Sequence, residues 1–255
     1  MLRQTIETFT SYINVFFIFF ALLLNTNAHA AGWEEISPGI EYRDLGLNIL
    51  TPWSHVHVFR IDLKKNKLDL SFAQDLGHQH ASVDELALHS HALIAINGGF
   101  FDSTYRPLGL RVGHHHQYTP IKPISWWGIF SIKDDQASLS KFSSVSPNNL
   151  DFAVQSGPRL IIHGKIPSLK PGLAERTALG ITEKNELIIL VTDHMPLSTR
   201  ALATLMKSFP LSCSDALNLD GGSSTQLYAH IGGFQLNSPG FAQVTDAVIV
   251  QSKKR

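Results

Sequence analysis

Between residues 33 and 75, apolar and polar positions follow the period of two that marks half-buried strands. His55-Val56-His57-Val58 sets one phase, and Phe59, Ile61 and Leu63 continue in the other. That slip predicts a bulge or a change of buried face. Leu68 to Phe72 reads as the return strand, with Lys64-Lys65-Asn66 near the turn. Ser82-Val83-Asp84-Glu85 has the form of a capping box, Ser82 at N-cap and Glu85 at N3. Val83, Leu86 and Ala87 then fall at i, i+3 and i+4, which predicts a short helix through about His89. Leu93-Ile94-Ala95-Ile96 reads as a buried strand closed by Asn97-Gly98-Gly99.

Further strands are predicted over 126–132, 150–155, 159–162 and 187–192, with a polar, Ser-rich loop or weak hairpin over 134–149. Ser198 or Thr199 caps a helix that places Leu202, Leu205, Met206 and Phe209 on one face. Pro210 stops it. Ala216-Leu217-Asn218-Leu219 is a buried strand ended by Asp220-Gly221-Gly222, and Ala247 to Val250 closes the chain as a strand. Two helices among about nine strands predict an α+β fold: a mixed β-sheet core, a few helices, and the site on strand-end loops. No linker divides residues 31–255, so they are expected to form a single domain.

Composition narrows the function classes. The chain has 255 residues, 44% hydrophobic and 16% charged, enough apolar content for a core and too little charge for a disordered tail. Lys and Arg total 21, as do Asp and Glu, so the basic surplus that drives nucleic-acid binding is absent. Arg3, the apolar run Tyr12 to Leu24 and the small-residue site Ala28-His29-Ala30 have the layout of a signal peptide cleaved after Ala30. The run is about 13 residues, short of the roughly 20 that span a bilayer, so no stable membrane insertion is expected after cleavage. Cys213 is the single cysteine, which rules out an intramolecular disulfide. Export with so few cysteines fits a bacterial periplasm better than a eukaryotic surface, with secretion the other expectation.

The candidate chemistry lies at two similar segments. Asn97-Gly98-Gly99 and Asp220-Gly221-Gly222 each end a buried strand with a polar residue and two glycines, and Ser223, Ser224 and Thr225 add hydroxyls. Such turns let a ligand or another backbone come close and can form an anion-binding nest; ordinary turn chemistry explains the same residues. Arg111, Arg159 and Arg176 lie beside strand-like sequence, where each could fork a phosphate or carboxylate or form a structural ion pair. His114-His115-His116 reads as a hairpin tip. His55 and His57 share one strand face but lack a third ligand, and Cys213 reads as a buried thiol. No metal or cofactor is predicted, although a structural calcium held by carboxylates is left open.

Five segments occur in order: Asn97-Gly98-Gly99-Phe100-Phe101, Pro107-Leu108-Gly109-Leu110-Arg111, Ser156-Gly157-Pro158-Arg159-Leu160, Glu175-Arg176-Thr177-Ala178-Leu179-Gly180 and Asn218-Leu219-Asp220-Gly221-Gly222-Ser223-Ser224. Together they resemble the phosphodiester glycosidase family over about residues 90–250. The resemblance implies an exported hydrolase that cleaves the glycosidic bond of a sugar-1-phosphodiester, with a sugar-phosphate or cell-envelope glycan as substrate. It implies Asp220 as the catalytic carboxylate, Asn97 and Arg176 in the catalytic set, and Arg111, Arg159, Thr177, Gly98, Gly99, Gly221, Gly222, Ser223 and Ser224 around the substrate. A second carboxylate, as in ordinary glycosidases, is open between Asp102, Asp193 and Asp246. The family pattern carries a third glycine where this chain has Ser223, which puts the pocket's shape in question. The rival readings are a non-catalytic cell-envelope carbohydrate-binding module and a metal-dependent phosphodiesterase.

Overall fold

The computed structural model of the protein describes residues 32–46 and 50–253, so the expected signal peptide lies outside the described residues. In chain order the strands are β1 (Glu34–Ser37), β2 (Ile40–Asp44), β3 (His55–Ile61), β4 (Asn66–Phe72), β5 (Ile94–Asn97), β6 (Arg111–Gly113), β7 (His116–Thr119), β8 (Gly128–Lys133), β9 (Gln136–Ser140) and β10 (Phe152–Ser156). They continue as β11 (Arg159–Ile161), β12 (Leu173–Ala174), β13 (Thr177–Thr182), β14 (Leu187–Asp193), β15 (Leu197–Ser198), β16 (Cys213–Asn218), β17 (Leu227–Ile231), β18 (Phe234–Ser238) and β19 (Asp246–Ser252). Two α-helices, Val83–Ser90 and Thr199–Lys207, complete the main elements.

Three sheets share one interior. The first runs β1-β2-β3-β14-β13-β16-β11, the second β7-β6-β10-β8-β9, and the third β18-β17-β5-β19-β4; β12 and β15 form a separate ribbon. Phe59 and Ile61 of β3, Leu70 of β4, Ile96 of β5, Phe130 of β8, Phe152 of β10, Ile189 of β14 and Val248 of β19 all enter the same apolar cluster. The α+β class stands, with sheet dominating. The expected mixed sheet is corrected: every strand pairing among the described residues is antiparallel.

Helix Val83–Ser90 shows why the strands beneath it read as continuous apolar runs. Val83, Leu86 and Ala87 pack on Ala95 of β5 and on Ala247 and Ile249 of β19. The alternate residues Ile94, Ile96, Val248 and Val250 point into the central cluster. Both faces are therefore dry, so alternation disappears from the sequence. Glu85 accepts hydrogen bonds from the Ser82 N–H and hydroxyl, each at 2.8 Å. Helix Thr199–Lys207 is capped by the Ser198 hydroxyl, which accepts from the Ala201 N–H at 3.1 Å. It buries Leu202, Ala203 and Met206. Phe209 does not share that face: the helix ends at Lys207, and Phe209 is 88% exposed.

The phase slip in β3 is not a bulge. Its register against β14 is unbroken from Ile61↔Leu187 to His55↔Asp193. Val56, His57, Val58 and Phe59 are buried in succession, so both faces of the strand are covered there and alternation appears only toward Ile61. At its exposed end His55 pairs with Asp44 (Nδ1 to Oδ2, 2.6 Å), and His57 Nδ1 lies 2.9 Å from the Tyr42 hydroxyl. Burial pushes the His57 pKa below its ordinary value; the neighbouring Asp44 and Asp193 charges oppose this and His55 adds to it. A histidine kept neutral by the fold binds its proton more readily when unfolded. Its stabilisation is thus lost as pH falls through about 6.5. Melting curves of wild type and His57→Gln at about pH 7 and about pH 5 test this. The wild type should lose more melting temperature on acidification than the variant, whereas parallel losses would exclude His57 as the cause.

Candidate active site

The two glycine turns meet. β5 ends at Asn97, whose side chain is 0% exposed. Its Nδ2 donates to the Asp220 carbonyl at 2.8 Å, and its Oδ1 accepts from the Thr177 hydroxyl at 2.6 Å and from the Gln226 N–H at 3.2 Å. The Asp220 N–H in turn donates to the Gly98 carbonyl at 3.3 Å. One amide therefore fastens the start of β13, the turn after β16 and the approach to β17. Thr177 is fully buried in that clamp. Gln226 continues it outward, its Oε1 accepting from the Val83 N–H at 3.0 Å at the start of the helix.

Beneath the turns lies an ion pair with both side chains at 0% exposure. Arg111 Nε lies 3.2 Å from each carboxylate oxygen of Asp246. Its Nη1 donates to the carbonyls of Leu108, Leu110 and Gln155, and its Nη2 to that of Phe100. The Thr245 hydroxyl donates to Asp246 Oδ2 at 3.0 Å. A buried pair survives only when its remaining polar groups are satisfied, and these contacts do that. They also require glycine: a Cβ at Gly98 would sit 1.7 Å from Asp246 Oδ1, and one at Gly99 would meet Arg111 Nη2 at 2.6 Å. Of the three carboxylates left open, Asp246 is the one at this site. Asp102 lies in a surface loop bonded to Thr104 and Arg106, and Asp193 pairs with His194.

Asp220 sits above this pair. Burial raises its carboxyl pKa above the ordinary value, and the Asp246 charge adds to the rise. Hydrogen bonds from the Ser224 side chain and the Gly221 N–H, together with the Arg111 charge, oppose it. A carboxyl held up in this way can take part in proton transfer or carry a charge that polarises a neighbouring bond. The turn below it is shaped by close approach and by handedness. Gly221 packs against the Glu175 carbonyl, which accepts the Gly222 N–H at 2.9 Å, and Gly222 itself has φ +64°. Ser223 is exposed, and the positive φ of the turn is taken by Gly222 instead. A side chain therefore stands where the family pattern has a third glycine without forcing the backbone.

The remaining arginines are more distant from Asp220 in the network. Arg176 is 9% exposed; its Nε donates to the Leu197 carbonyl and its Nη2 to that of Gly172, at 2.8 and 2.6 Å. Leu197 opens β15 and Gly172 immediately precedes β12, and burial lowers the Arg176 pKa. Arg159 is half-buried, with Nη2 donating to the Ser125 carbonyl at 3.2 Å. Sequence reasoning did not single out Gln155, Glu175 and Gln226, which brace the turns through a backbone carbonyl or a side-chain amide. Nothing in residue type separates such bracing from an ordinary solvated side chain. Cys213 is buried, and its thiol is pushed up to about 12, as an inert packing residue would be.

Two glycine substitutions separate the roles of the turns. Gly98→Ala must displace the Asp246 carboxylate from Arg111, so a loss of about 3–5 kcal/mol in denaturant unfolding is expected. Gly222→Ala meets no atom within 4 Å and bears only the left-handed backbone cost, roughly 1–2 kcal/mol. Equal losses at the two positions would contradict the buried-pair account.

The sequence model of the phosphodiester glycosidase family matches residues 90–251. An uncharacterised Escherichia coli (strain K12) protein, YigE, is 27% identical over 131 residues, covering 46% of this chain and 52% of its own length. The chain thus spans about half of that relative. Among solved structures, the catalytic domain of zebrafish N-acetylglucosamine-1-phosphodiester alpha-N-acetylglucosaminidase, auto-inhibited by its pro-peptide, superposes with a TM-score of 0.64. It is 17% identical, over 88% of this chain and 87% of that one. A hypothetical protein from Synechocystis superposes at 0.62 with 16% identity, over 84% of this chain and 62% of its own. At these identities the superpositions establish a shared fold. With the family match spanning well over half of its length, and with both glycine turns inside it, the chain belongs to the phosphodiester glycosidase family.

Proposed function

We propose that this chain is an exported hydrolase that cleaves the glycosidic bond of a sugar-1-phosphodiester. The observation that carries the reading is the Asp220 carboxyl, raised by burial and fixed where two glycine turns are clamped by Asn97. A phosphate leaving group needs its charge held more than it needs protonation, and the sugar ring develops positive charge that a carboxylate can stabilise. Asp220 supplies that carboxylate. Asn97 and Arg111 act as positioning residues, since both are fully buried and bonded within the protein. Asp246 takes part through Arg111 and through its charge on Asp220, as a positioning group and not as a second acid in contact with substrate.

Arg176 is assigned to the phosphate. It is a nearly buried guanidinium whose described partners are backbone carbonyls and not a carboxylate, so an anion would supply its missing countercharge. Arg159 and the exposed Ser223 are further candidates on the substrate side. Export rests on the segment ending at Ala30, and a periplasmic or secreted glycan phosphate is the matching substrate source.

A second reading is a glycan-binding relative that has lost catalysis. It is favoured by the internal commitment of Asn97 and Arg111, neither of which is open to a ligand. Hydrolysis of sugar-1-phosphate diesters in water labelled with heavy oxygen separates the readings. Label in the sugar marks cleavage of the glycosidic bond. Label in the phosphate would instead mark a phosphodiesterase, and no turnover of any diester by the folded protein would leave the binding reading.

Variants then locate the chemistry. Asp220→Asn should lower kcat by a factor on the order of 10² or more. Because the folded state raises this carboxyl's pKa, the stability it contributes is present at low pH and lost as pH rises through the folded value. The variant is therefore expected to melt no lower than wild type at about pH 7. An active but less stable Asp220→Asn protein would reduce Asp220 to a turn cap. Arg176→Lys keeps the charge and loses the fork, so its effect should fall mainly on KM.

A further inference from the structure

A concave site lies beside the Arg111–Asp246 pair. It is a groove of about 460 Å³ whose floor includes Leu108 and Thr245. These residues touch the pair: the Leu108 carbonyl accepts from Arg111, and the Thr245 hydroxyl donates to Asp246. Asp220 is not among its lining residues.

Two tyrosines line it, each braced from behind. Tyr118 is 40% exposed and rests on Phe72, ring centroids 4.3 Å apart. Tyr105 stacks on Phe101 at 5.4 Å with 14° between planes, and touches His80 at 4.3 Å. Tyr105 is also held in a costly backbone conformation, φ +55°. The loop that holds it is bonded to itself: Asp102 accepts from the Thr104 N–H and hydroxyl, the Arg106 N–H and Arg106 Nε, and the Tyr105 N–H donates to the Asp102 carbonyl. These bonds fix a large aromatic face on the groove at the expense of a relaxed turn.

The polar lining is of a different kind. Gln74 and Gln79 offer amides from exposed positions. Arg106 is neutralised by Asp102 at 3.0 Å. Lys122 is placed by Gln155, which bonds to both its backbone N–H and carbonyl, and among the described residues no carboxylate pairs with its ammonium. Among the residues that line the groove, Lys122 is thus the one charge without an opposite partner.

We propose that this groove is a saccharide-binding site that takes an oligosaccharide containing acidic sugars. Sugar rings present C–H faces to tyrosine and hydroxyls to amides, and an acidic ring supplies the countercharge that Lys122 lacks. The inference goes beyond the hydrolytic reading and does not depend on Asp220, because binding here needs no bond to break. Rigid aromatic walls without charge would suit an apolar peptide instead, and the free lysine argues against that occupant.

The test is calorimetric titration of the full chain with tetragalacturonate, with cellotetraose as the neutral counterpart and a neutral apolar peptide as control. Saturable binding is expected for the saccharides, tighter for the acidic one. Tyr118→Ala should weaken both roughly three- to tenfold. Lys122→Gln should weaken the acidic one alone, by about threefold, as expected for a single charge pair. Melting temperatures and diester hydrolysis should stay at wild-type values in both variants, which separates this site from Asp220. Absence of saccharide binding, binding unaltered by Tyr118→Ala, or preference for the peptide would each overturn the proposal.

Discussion

The side-chain amide of Asn97 joins three separate stretches of chain, and the candidate site depends on that junction. Its oxygen accepts from Thr177 and Gln226, and its nitrogen donates to the carbonyl of Asp220. All of this happens out of reach of water, where each group left without a partner would cost about 1–3 kcal/mol. The geometry therefore behaves as a unit. Asp220 can hold one position at the surface because its own backbone is held from inside.

Beneath this clamp, the Arg111–Asp246 pair sets the electrostatics. An isolated buried charge would be too costly to keep, and the pair is kept by a full set of carbonyls and the Thr245 hydroxyl. Its two members act on Asp220 in opposite directions: Asp246 raises the carboxyl and Arg111 lowers it. Desolvation outweighs both. The same pair touches the tyrosine-lined groove through Leu108 and Thr245, so a single buried element supports both sites.

Much of this was legible in the sequence, and the failures have physical causes. The helix at Val83–Ser90 was readable because its apolar spacing and its capping glutamate agree. The paired Gly-Gly turns were readable because close backbone approach demands glycine, as the Asp246 oxygen beside Gly98 requires. Of two hairpins, the one with its tip at His114 to His116 was readable, while 134–149 fits a loop as well as a weak hairpin. They turn on His114-His115 and Asp134-Asp135, all four at positive φ without the Asn-Gly or Asp-Gly pair that usually marks such turns. Asp69 of β4 and Asp151, just before β10, stabilise these turns by accepting from the N–H groups of His114 and Asp134. The pairings that join distant parts of the chain, such as β3 with β14 and β4 with β19, and the choice of Asp246 over Asp102 and Asp193, depend on contacts between segments more than a hundred residues apart. Residue type alone does not encode them. Arg111 shows the same limit, since a fork for phosphate and a fork for a buried carboxylate look alike in one chain.

The central claim is that burial, more than any neighbouring charge, prepares Asp220. Carbon-13 NMR titration of the Asp220 carboxyl in the folded protein measures this without substrate. The account predicts a midpoint above the ordinary aspartate value of about 3.9. It also predicts a fall toward that value in Asn97→Ala, where the turn is released and water reaches the carboxyl. A midpoint at or below the ordinary value in the wild-type protein would contradict it.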